Sequence, residues 1–282
     1  MNDWPPGRHN PPMQPPVAGR RWKPSVGIQA SVALHAGAAA AAVVQPSLWP
    51  WLLAGVIADH LVLTAAGLWP RSSLLGPNLT RLPSGAAPGR VALTIDDGPD
   101  PDITPKVLQL LEQHRTRATF FCIGERIARH DELAREIVAR GHAIENHSQR
   151  HRHNFSLLGP RGLAAEIAAA QEQIATVTGQ RPKFFRAPAG LRNPFLEPVL
   201  ARQDLRLTSW TRRGFDTVRN DTNQIFGRLT HSLGDGDILL LHDGHAARTQ
   251  TGVPVILEVL PRLLDSVAAA GLVPVTLRDA LP

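Results

Sequence analysis

The sequence contains a single cysteine, Cys122, which excludes an intrachain disulfide and any cysteine-built zinc site. Its neighbours Phe120, Phe121 and Ile123 are apolar, so a buried role is expected for it. There is no internal repeat of fixed period, which excludes a repeat architecture. No cluster of Lys and Arg interleaved with aromatic residues occurs after residue 90. The net charge of +6 and a pI near 10.8 would fit a nucleic-acid binder, but +4 of that charge lies in residues 1–89 and only +2 in the remainder. A basic segment beside apolar runs is a membrane-surface signal, and nucleic acid is not an expected partner. Charge is also missing from Val26 to Val44, where 19 consecutive residues carry none.

That uncharged run organises the N-terminal third. Residues 1–25 are basic and rich in proline and glycine, a composition expected to stay disordered. Residues 26–69 hold two apolar stretches, Val26 to Val44 and Leu48 to Trp69, each close to the roughly 20 residues that cross a bilayer. Trp49, Trp51 and Trp69 bracket the second, as suits a membrane interface. Asp59 and His60 sit near its middle, where an acid costs about 2.5 to 3.5 kcal/mol on insertion scales. A helical hairpin turned at Gln45 and Pro46, with His35 facing Asp59 or His60, would pair them. Arg20, Arg21 and Lys23 precede the hairpin, and Arg71, Arg81 and Arg90 follow it, while the connection carries no charge. The positive-inside tendency then places the C-terminal domain on the cytoplasmic side of a bacterial inner membrane; a signal segment exporting it to the periplasm is the alternative.

After a linker over residues 70–89, residues 90–282 alternate short apolar runs with amphipathic stretches. Strands are expected at Val91 to Ile95, Ala118 to Ile123, Lys183 to Arg186, Leu205 to Trp210, Asp237 to Leu241 and Val273 to Val275. Helices are expected at Thr104 to His114, Leu163 to Thr178 and Pro254 to Ala270. The fold class is therefore α/β, a mainly parallel sheet covered by helices that this length can close into a barrel.

In such a fold chemistry gathers where strands end. The first strand ends in Asp96 and Asp97, adjacent carboxylates of which one can bind a cation and the other act as a base, although Asp-Asp-Gly-Pro is by itself a common turn. His147 and His151, four apart, can face one metal from a helical turn. Two histidines and a carboxylate leave a coordination position open, as catalysis requires, and a divalent ion there brings the pKa of water from about 15.7 toward about 7. His242 ends another apolar run and is available as an acid. His114, His130, His142 and His153 are expected to be surface or structural.

These residues fall in motifs that resemble those of the polysaccharide deacetylases. Thr94-Ile95-Asp96-Asp97-Gly98-Pro99 resembles the first, His147-Ser148-Gln149-Arg150-His151 the second and Arg186-Ala187-Pro188-Ala189-Gly190 the third. Trp210 through Asp216 resembles the fourth, and Leu239-Leu240-Leu241-His242-Asp243 the fifth. The resemblance implies an irregular (β/α) barrel of about seven strands that hydrolyses N-acetyl groups of a carbohydrate. It implies one divalent ion, usually zinc, held by Asp97, His147 and His151, although Co, Ni or Mn suit the same donors. Asp96 is implied as base, His242 as acid, Arg186 as the residue orienting Asp96, and Asp216 as a partner of Arg186. A backbone N–H near Ala189 would hold the oxyanion, Leu240 would line the acetyl pocket, and Trp210 would line the substrate groove. The family usually has an aromatic residue at Ala189 and a tryptophan at Thr217; the smaller residues open the groove, so a small or lipid-linked amino sugar is the expected substrate. A deformylase or amidase acting on another acyl group, or an inactive membrane-tethered glycan-binding protein, are the alternatives. Asp96→Asn is expected to keep the metal while slowing turnover by roughly 10² to 10⁴; metal content and rate of the purified variant check this, and loss of metal would exchange the roles of Asp96 and Asp97.

Overall fold

The computed structural model describes residues 19–83 and 89–281. Most of the segment expected to be disordered lies outside these residues, but its last part is ordered: Arg20 pairs with the buried carboxylate of Glu197 and donates to the Leu205 carbonyl. A buried carboxylate needs a partner, and Arg20 supplies it.

The hairpin forms as two helices, α1 (Val26–Val44) and α2 (Trp49–Leu68), turned through a 3-10 segment at Pro46–Leu48. Ser25 caps α1 by accepting from the Ile28 N–H. Between the helices Ser31 donates to Asp59 at 2.7 Å, His35 Nδ1 lies 2.8 Å from the Ser31 carbonyl, and His35 and His60 meet at 3.3 Å. The intramembrane-type polar residues thus pair with one another. The apolar side chains point outward, and only Ser31, Ala66 and Gly67 in the two helices are buried. By length and composition both helices suffice to cross a bilayer.

The rest is an eight-stranded parallel sheet whose main path runs β5 (Arg206–Leu207), β4 (Phe184–Phe185), β3 (Ala143–Asn146), β2 (Thr119–Cys122), β1 (Arg90–Asp96), β7 (Ile238–His242), β6 (Arg212–Arg213). The remaining strand, β8 (Val273–Val275), pairs with the start of β1. Helices α3 (Thr104–Gln113), α4 (Gly124–Arg129), α5 (Asp131–Ala139), α6 (Pro160–Thr178), α7 (Leu196–Arg202), α8 (Thr222–Thr230) and α9 (Val255–Ala269) lie between the strands in sequence, and α10 (Leu277–Ala280) follows β8. The two edges of the path, β5 and β6, are joined by only four residues, Thr208 to Thr211, which bridge little more than about 3.5 Å each. The sheet therefore curls into an irregular barrel, and the single strand expected at Leu205 to Trp210 breaks where the chain passes from one edge to the other.

Alternation along β1 and β7 sorts side chains between two cores. Val91, Leu93 and Ile95 with Leu239 and Leu241 pack outward against α3 and α9, whereas Ala92, Ile238 and Leu240 turn inward with Phe121, Phe184 and Trp210. Thr94 and Asp96, of the same parity as Ala92, share the inner face, and the register sets Leu240 beside Thr94 and His242 beside Asp96.

Part of the expected linker is built into this barrel. Leu75 and Leu82 are buried, the Leu79 N–H donates to the Leu207 carbonyl at 2.9 Å, and the Leu82 N–H donates to the Gly236 carbonyl at 2.8 Å. Thr211 Oγ1 donates to the Thr80 carbonyl at 2.7 Å, so residues 79–82 lie along the place where the sheet edges meet. A fragment starting at residue 70 is expected to resist urea better than one starting at residue 90, by about 3 to 6 kcal/mol for the two buried leucines; equal unfolding midpoints would show that the segment contributes nothing.

Candidate metal centre and active site

The site is assembled at the C-terminal ends of the strands around a buried arginine. Arg186, directly after β4, is 1% exposed. Its guanidinium donates to Asp96 Oδ1 at 2.6 Å, Thr94 Oγ1 at 2.9 Å, and the Ser209 and Thr208 carbonyls at 2.8 and 3.2 Å, and stacks 4.1 Å from the Phe121 ring centre. Burial lowers its pKa and the Asp96 carboxylate opposes that, as expected for a cation held out of water by one counter-ion.

The carbonyl of the same residue orients a histidine: His147 Nδ1–H donates to it at 2.8 Å, so that in the neutral imidazole Nε2 carries the lone pair and faces Asp97. His147 Nε2 and His151 Nε2 lie 3.2 and 3.3 Å from one oxygen, Asp97 Oδ1. That oxygen is buried and makes no hydrogen bond among the described residues. Three donor atoms within 4.8 Å of one another, one of them orphaned, fit a divalent cation of the kind bound by imidazole and carboxylate. Burial and then the neighbouring His147 push the His151 pKa down to about 4, so it is neutral and able to ligate at pH 7. Burial raises the Asp97 pKa, but the His147 and His245 imidazoles more than offset it and hold the carboxyl ionised. For His147, burial disfavours the charged form, and the Asp96 and Asp97 carboxylates prevail and raise its pKa. The cluster attracts positive charge.

His147 and His151 do not stand on a helical turn. They flank a loop after β3 in which Ser148 and His151 have φ of 63° and 49°. Asn146 Oδ1 accepts from the Ser148 N–H at 2.9 Å, and Ser148 Oγ accepts from the His151 N–H at 3.0 Å. Short polar side chains bonding to nearby backbone impose a turn here, and the turn brings the imidazole centroids to 4.8 Å. Asp97 is itself left-handed, φ 75°, a conformation aspartate tolerates.

His242 occupies the β7 position beside Asp96. Asp216, implied by the resemblance as a partner of Arg186, instead accepts from His242: Oδ1 from Nδ1 at 2.9 Å and Oδ2 from the backbone N–H at 2.7 Å. Four of the five guanidinium donors of Arg186 already go to Thr94, Asp96 and two carbonyls, and both oxygens of Asp216 are taken by His242. Burial works against protonation of His242, yet the Asp216 carboxylate, reinforced by Asp96 and Asp97, pushes its pKa up to about 9. Ala189 (φ 53°), Trp210, Thr217 and Leu240 complete a cavity of about 210 Å³. His153, expected at the surface, is exposed but lines its mouth. His142 is structural as expected, receiving the Ala118 N–H, and burial, with Arg140 and Arg117 nearby, takes its pKa to about 4.

Two residues not singled out in the sequence also belong to the site. His245 Nδ1 lies 3.1 Å from Asp97 Oδ2 and its other nitrogen 3.1 Å from Arg126. Asp243 is buried, accepts from Thr104 and from the Gly244 N–H, and lies so close to Gly98 that a Cβ there would meet its carboxylate at 2.6 Å. Gly98 in the Asp-Asp-Gly-Pro turn is required by that approach. The spacing His242-Asp243-Gly244-His245 was the available signal, hidden among twelve histidines.

Asp96 and His242 on neighbouring strands, set against an Asp-His-His donor cluster, are the constituents a metal-assisted hydrolase centre needs. The chain belongs to the polysaccharide deacetylase family, whose sequence profile matches residues 84–208. It is 36% identical over 156 residues to a chitooligosaccharide deacetylase of a Bradyrhizobium species, covering 55% of this chain and 71% of that one. It is 35% identical over 175 residues to a peptidoglycan-N-acetylglucosamine deacetylase of Bacillus cereus, covering 61% and 81%. A family 4 carbohydrate esterase from Streptomyces lividans, solved with acetate, superimposes with a TM-score of 0.62 at 33% identity over 69% of this chain and 96% of that one. The family's members are hydrolases of carbon–nitrogen bonds other than peptide bonds, and carbohydrate N-deacetylation is the reaction named for its relatives.

Replacing Asp216 by Asn removes the charge that holds the proton on His242, so the alkaline limb of the rate profile is expected to move from near pH 9 toward the ordinary histidine range. A pH profile of kcat/KM for the variant checks this; an unmoved limb would assign it to another group.

Proposed function

We propose that the protein hydrolyses the N-acetyl amide of an amino sugar presented at a membrane surface and releases acetate. The observation that carries this reading is the orphaned Asp97 Oδ1 facing two imidazoles, with Asp96 and His242 side by side across adjacent strands. Asp97, His147 and His151 would hold a divalent ion, zinc in our reading although Co, Ni or Mn suit the same donors, and the ion would supply Lewis acidity to the acetamide carbonyl and to water. Asp96, positioned by Arg186, takes a proton from the attacking water as the new carbon–oxygen bond forms. His242, kept protonated by Asp216, gives its proton to the amide nitrogen as the carbon–nitrogen bond breaks and the amine leaves. The backbone at Ala189 is suited to steady the oxyanion, and Leu240 to contact the acetyl methyl group.

The cavity of about 210 Å³ is below the roughly 300 to 1,000 Å³ of drug-sized ligand sites, which supports one small acylated sugar unit at the reaction centre. Ala189 and Thr217 offer no aromatic platform for an extended glycan. The hairpin, with exposed Trp22 and Trp69 at one end and Trp49 and Trp51 at the other, supports anchorage in a bilayer. Arginine and lysine on both outer flanks, and none in the connection, support a cytoplasmic catalytic domain. Acetate release by the detergent-solubilised protein from free, polymeric and lipid-linked N-acetylated sugars tests the proposal. Release should stop on chelation and return with zinc; no acetate from any substrate despite bound metal would sink it.

A further inference from the structure

Beside the reaction centre lies a second and larger cleft, of about 750 Å³, with no acidic residue in its lining. Arg213 and Trp210 border both spaces, so the cleft adjoins the cavity of the Asp-His-His cluster. One wall is a single face of α8, where Gln224, Gly227, Arg228 and His231 recur at helical spacing. The opposite wall is the base of the hairpin, Trp69, Pro70 and Arg71.

The state of its arginines distinguishes this cleft from an ordinary basic surface. Arg212 is neutralised by Asp237 at 2.7 Å. Arg71, Arg213 and Arg228 pair with no carboxylate among the described residues. Arg71 makes one long contact, 3.4 Å, with the Thr211 carbonyl. Arg213 lies over Trp210 and Phe215, at 5.2 and 4.9 Å from the ring centres, and its Nε is buried without a partner. Arg228 lies over Phe215 at 5.4 Å. Another arginine-rich cleft near His151 lacks this property, since Arg129 and Arg150 are paired with Glu125, Arg152 with Glu166 and Arg126 with Asp100. Three guanidiniums without a carboxylate partner around one space, two of them held on aromatic rings, suit an oxyanion accepting several forked hydrogen bonds.

Beyond Arg71 the lining turns apolar. Trp69 and Arg71 also border a pocket whose apolar side is Val62, Ala65 and Ala66 of α2 with Leu74 beyond it, and whose polar side is Ser72, Ser73 and Thr80. The order along the surface is therefore reaction centre, cationic cleft, membrane-type helix.

We propose that the Arg71–Arg213–Arg228 cleft binds a phosphate ester, as a phosphodiester or pyrophosphate, carried by the N-acetylated sugar whose amide is cleaved next to it. The apolar continuation along α2 selects the lipid-linked form of that ester over a soluble sugar phosphate. The inference rests on the deacetylase reading for the position of the sugar, whereas the anion site stands on its own lining. Quenching of tryptophan fluorescence in the detergent-solubilised full-length protein, through Trp69 and Trp210, reports occupancy without turnover. N-acetylglucosamine 1-phosphate should bind more tightly than N-acetylglucosamine. Arg71→Gln and Arg228→Gln should each weaken the phosphate ester by about tenfold or more, while Arg135→Gln, on α5, should not. Equal affinity for the two sugars, or phosphate binding that survives both substitutions because the metal holds it, would overturn the site. Arginine-dependent phosphate binding without acetate release from any sugar would instead overturn the deacetylase reading and leave the anion site. A prenyl-diphosphate-linked N-acetylglucosamine should exceed the soluble phosphate in kcat/KM, with the ratio lowered in Arg71→Gln; equal values would overturn the lipid assignment.

Discussion

Much of the site depends on the burial of one guanidinium. An arginine taken out of water must have its donors satisfied, and Arg186 finds acceptors on two segments at once: Thr94 and Asp96 on β1 and the Thr208 and Ser209 carbonyls in the bend between the two sheet edges. The same interaction therefore fixes the Asp96 carboxylate and holds the crossing that curls the sheet. Through its own carbonyl Arg186 also orients His147, so Asp96 and one member of the Asp-His-His cluster are positioned from one residue. Removing either member of a buried ion pair strands the other charge, at about 3 to 5 kcal/mol, which makes Arg186 and Asp96 a structural pair as well as a chemical one.

Around that pair the environment separates groups of the same kind into different states. Two histidines a few ångströms from the same carboxylates diverge: His151, buried beside another imidazole, is pushed down to about 4, while His242, bonded to Asp216, is pushed up to about 9. One is ready to ligate a cation and the other to donate a proton, at a single pH. The divergence comes from which strand end each occupies, since β7 faces Asp216 and the loop after β3 faces Asp97.

What the sequence revealed follows from how local each signal is. β1 and β7 are legible because both faces are buried, so Val91 to Ile95 and Ile238 to Leu241 read as unbroken apolar runs. The polar residues that end them, Asp96, Asp97 and His242, follow directly. β6 escaped because Arg212 and Arg213 resemble a solvent-facing stretch, and their pairing with β7 is decided by tertiary contact. The short helices α4, α5, α7, α8 and α10 were not singled out, although α5 and α8 are amphipathic. The spacing of His147 and His151 was informative for the wrong reason, because a turn held by Asn146 and Ser148 converges them. Asp216 was found but given to Arg186, a choice only side-chain geometry could correct. Residues 70–83 read as a linker since their two buried leucines lie among Pro, Ser and Asn, whose backbone groups bond to strands distant in sequence.

That segment also builds one side of the rim around the Asp-His-His cluster. Pro70 packs where a Cβ on Gly190 would sit, at 2.7 Å, and Trp210 is nearer still at 2.6 Å, so the end of α2 is seated on the third-motif turn that borders the cavity. The Ser209 hydroxyl donates to the Pro70 carbonyl at 2.6 Å, and the Arg192 N–H donates to the Gly67 carbonyl at 3.1 Å, which fixes this contact from two sides. A flexible tether would let the barrel turn its mouth in any direction, whereas a helix end bonded to the rim does not. If the hairpin lies in a bilayer, the mouth is held at the interface beside Trp69, where the sugar of a lipid-linked substrate would also lie. The end of the hairpin is thus part of the rim of the cavity, and the small side chains of Ala189 and Thr217 leave that rim open.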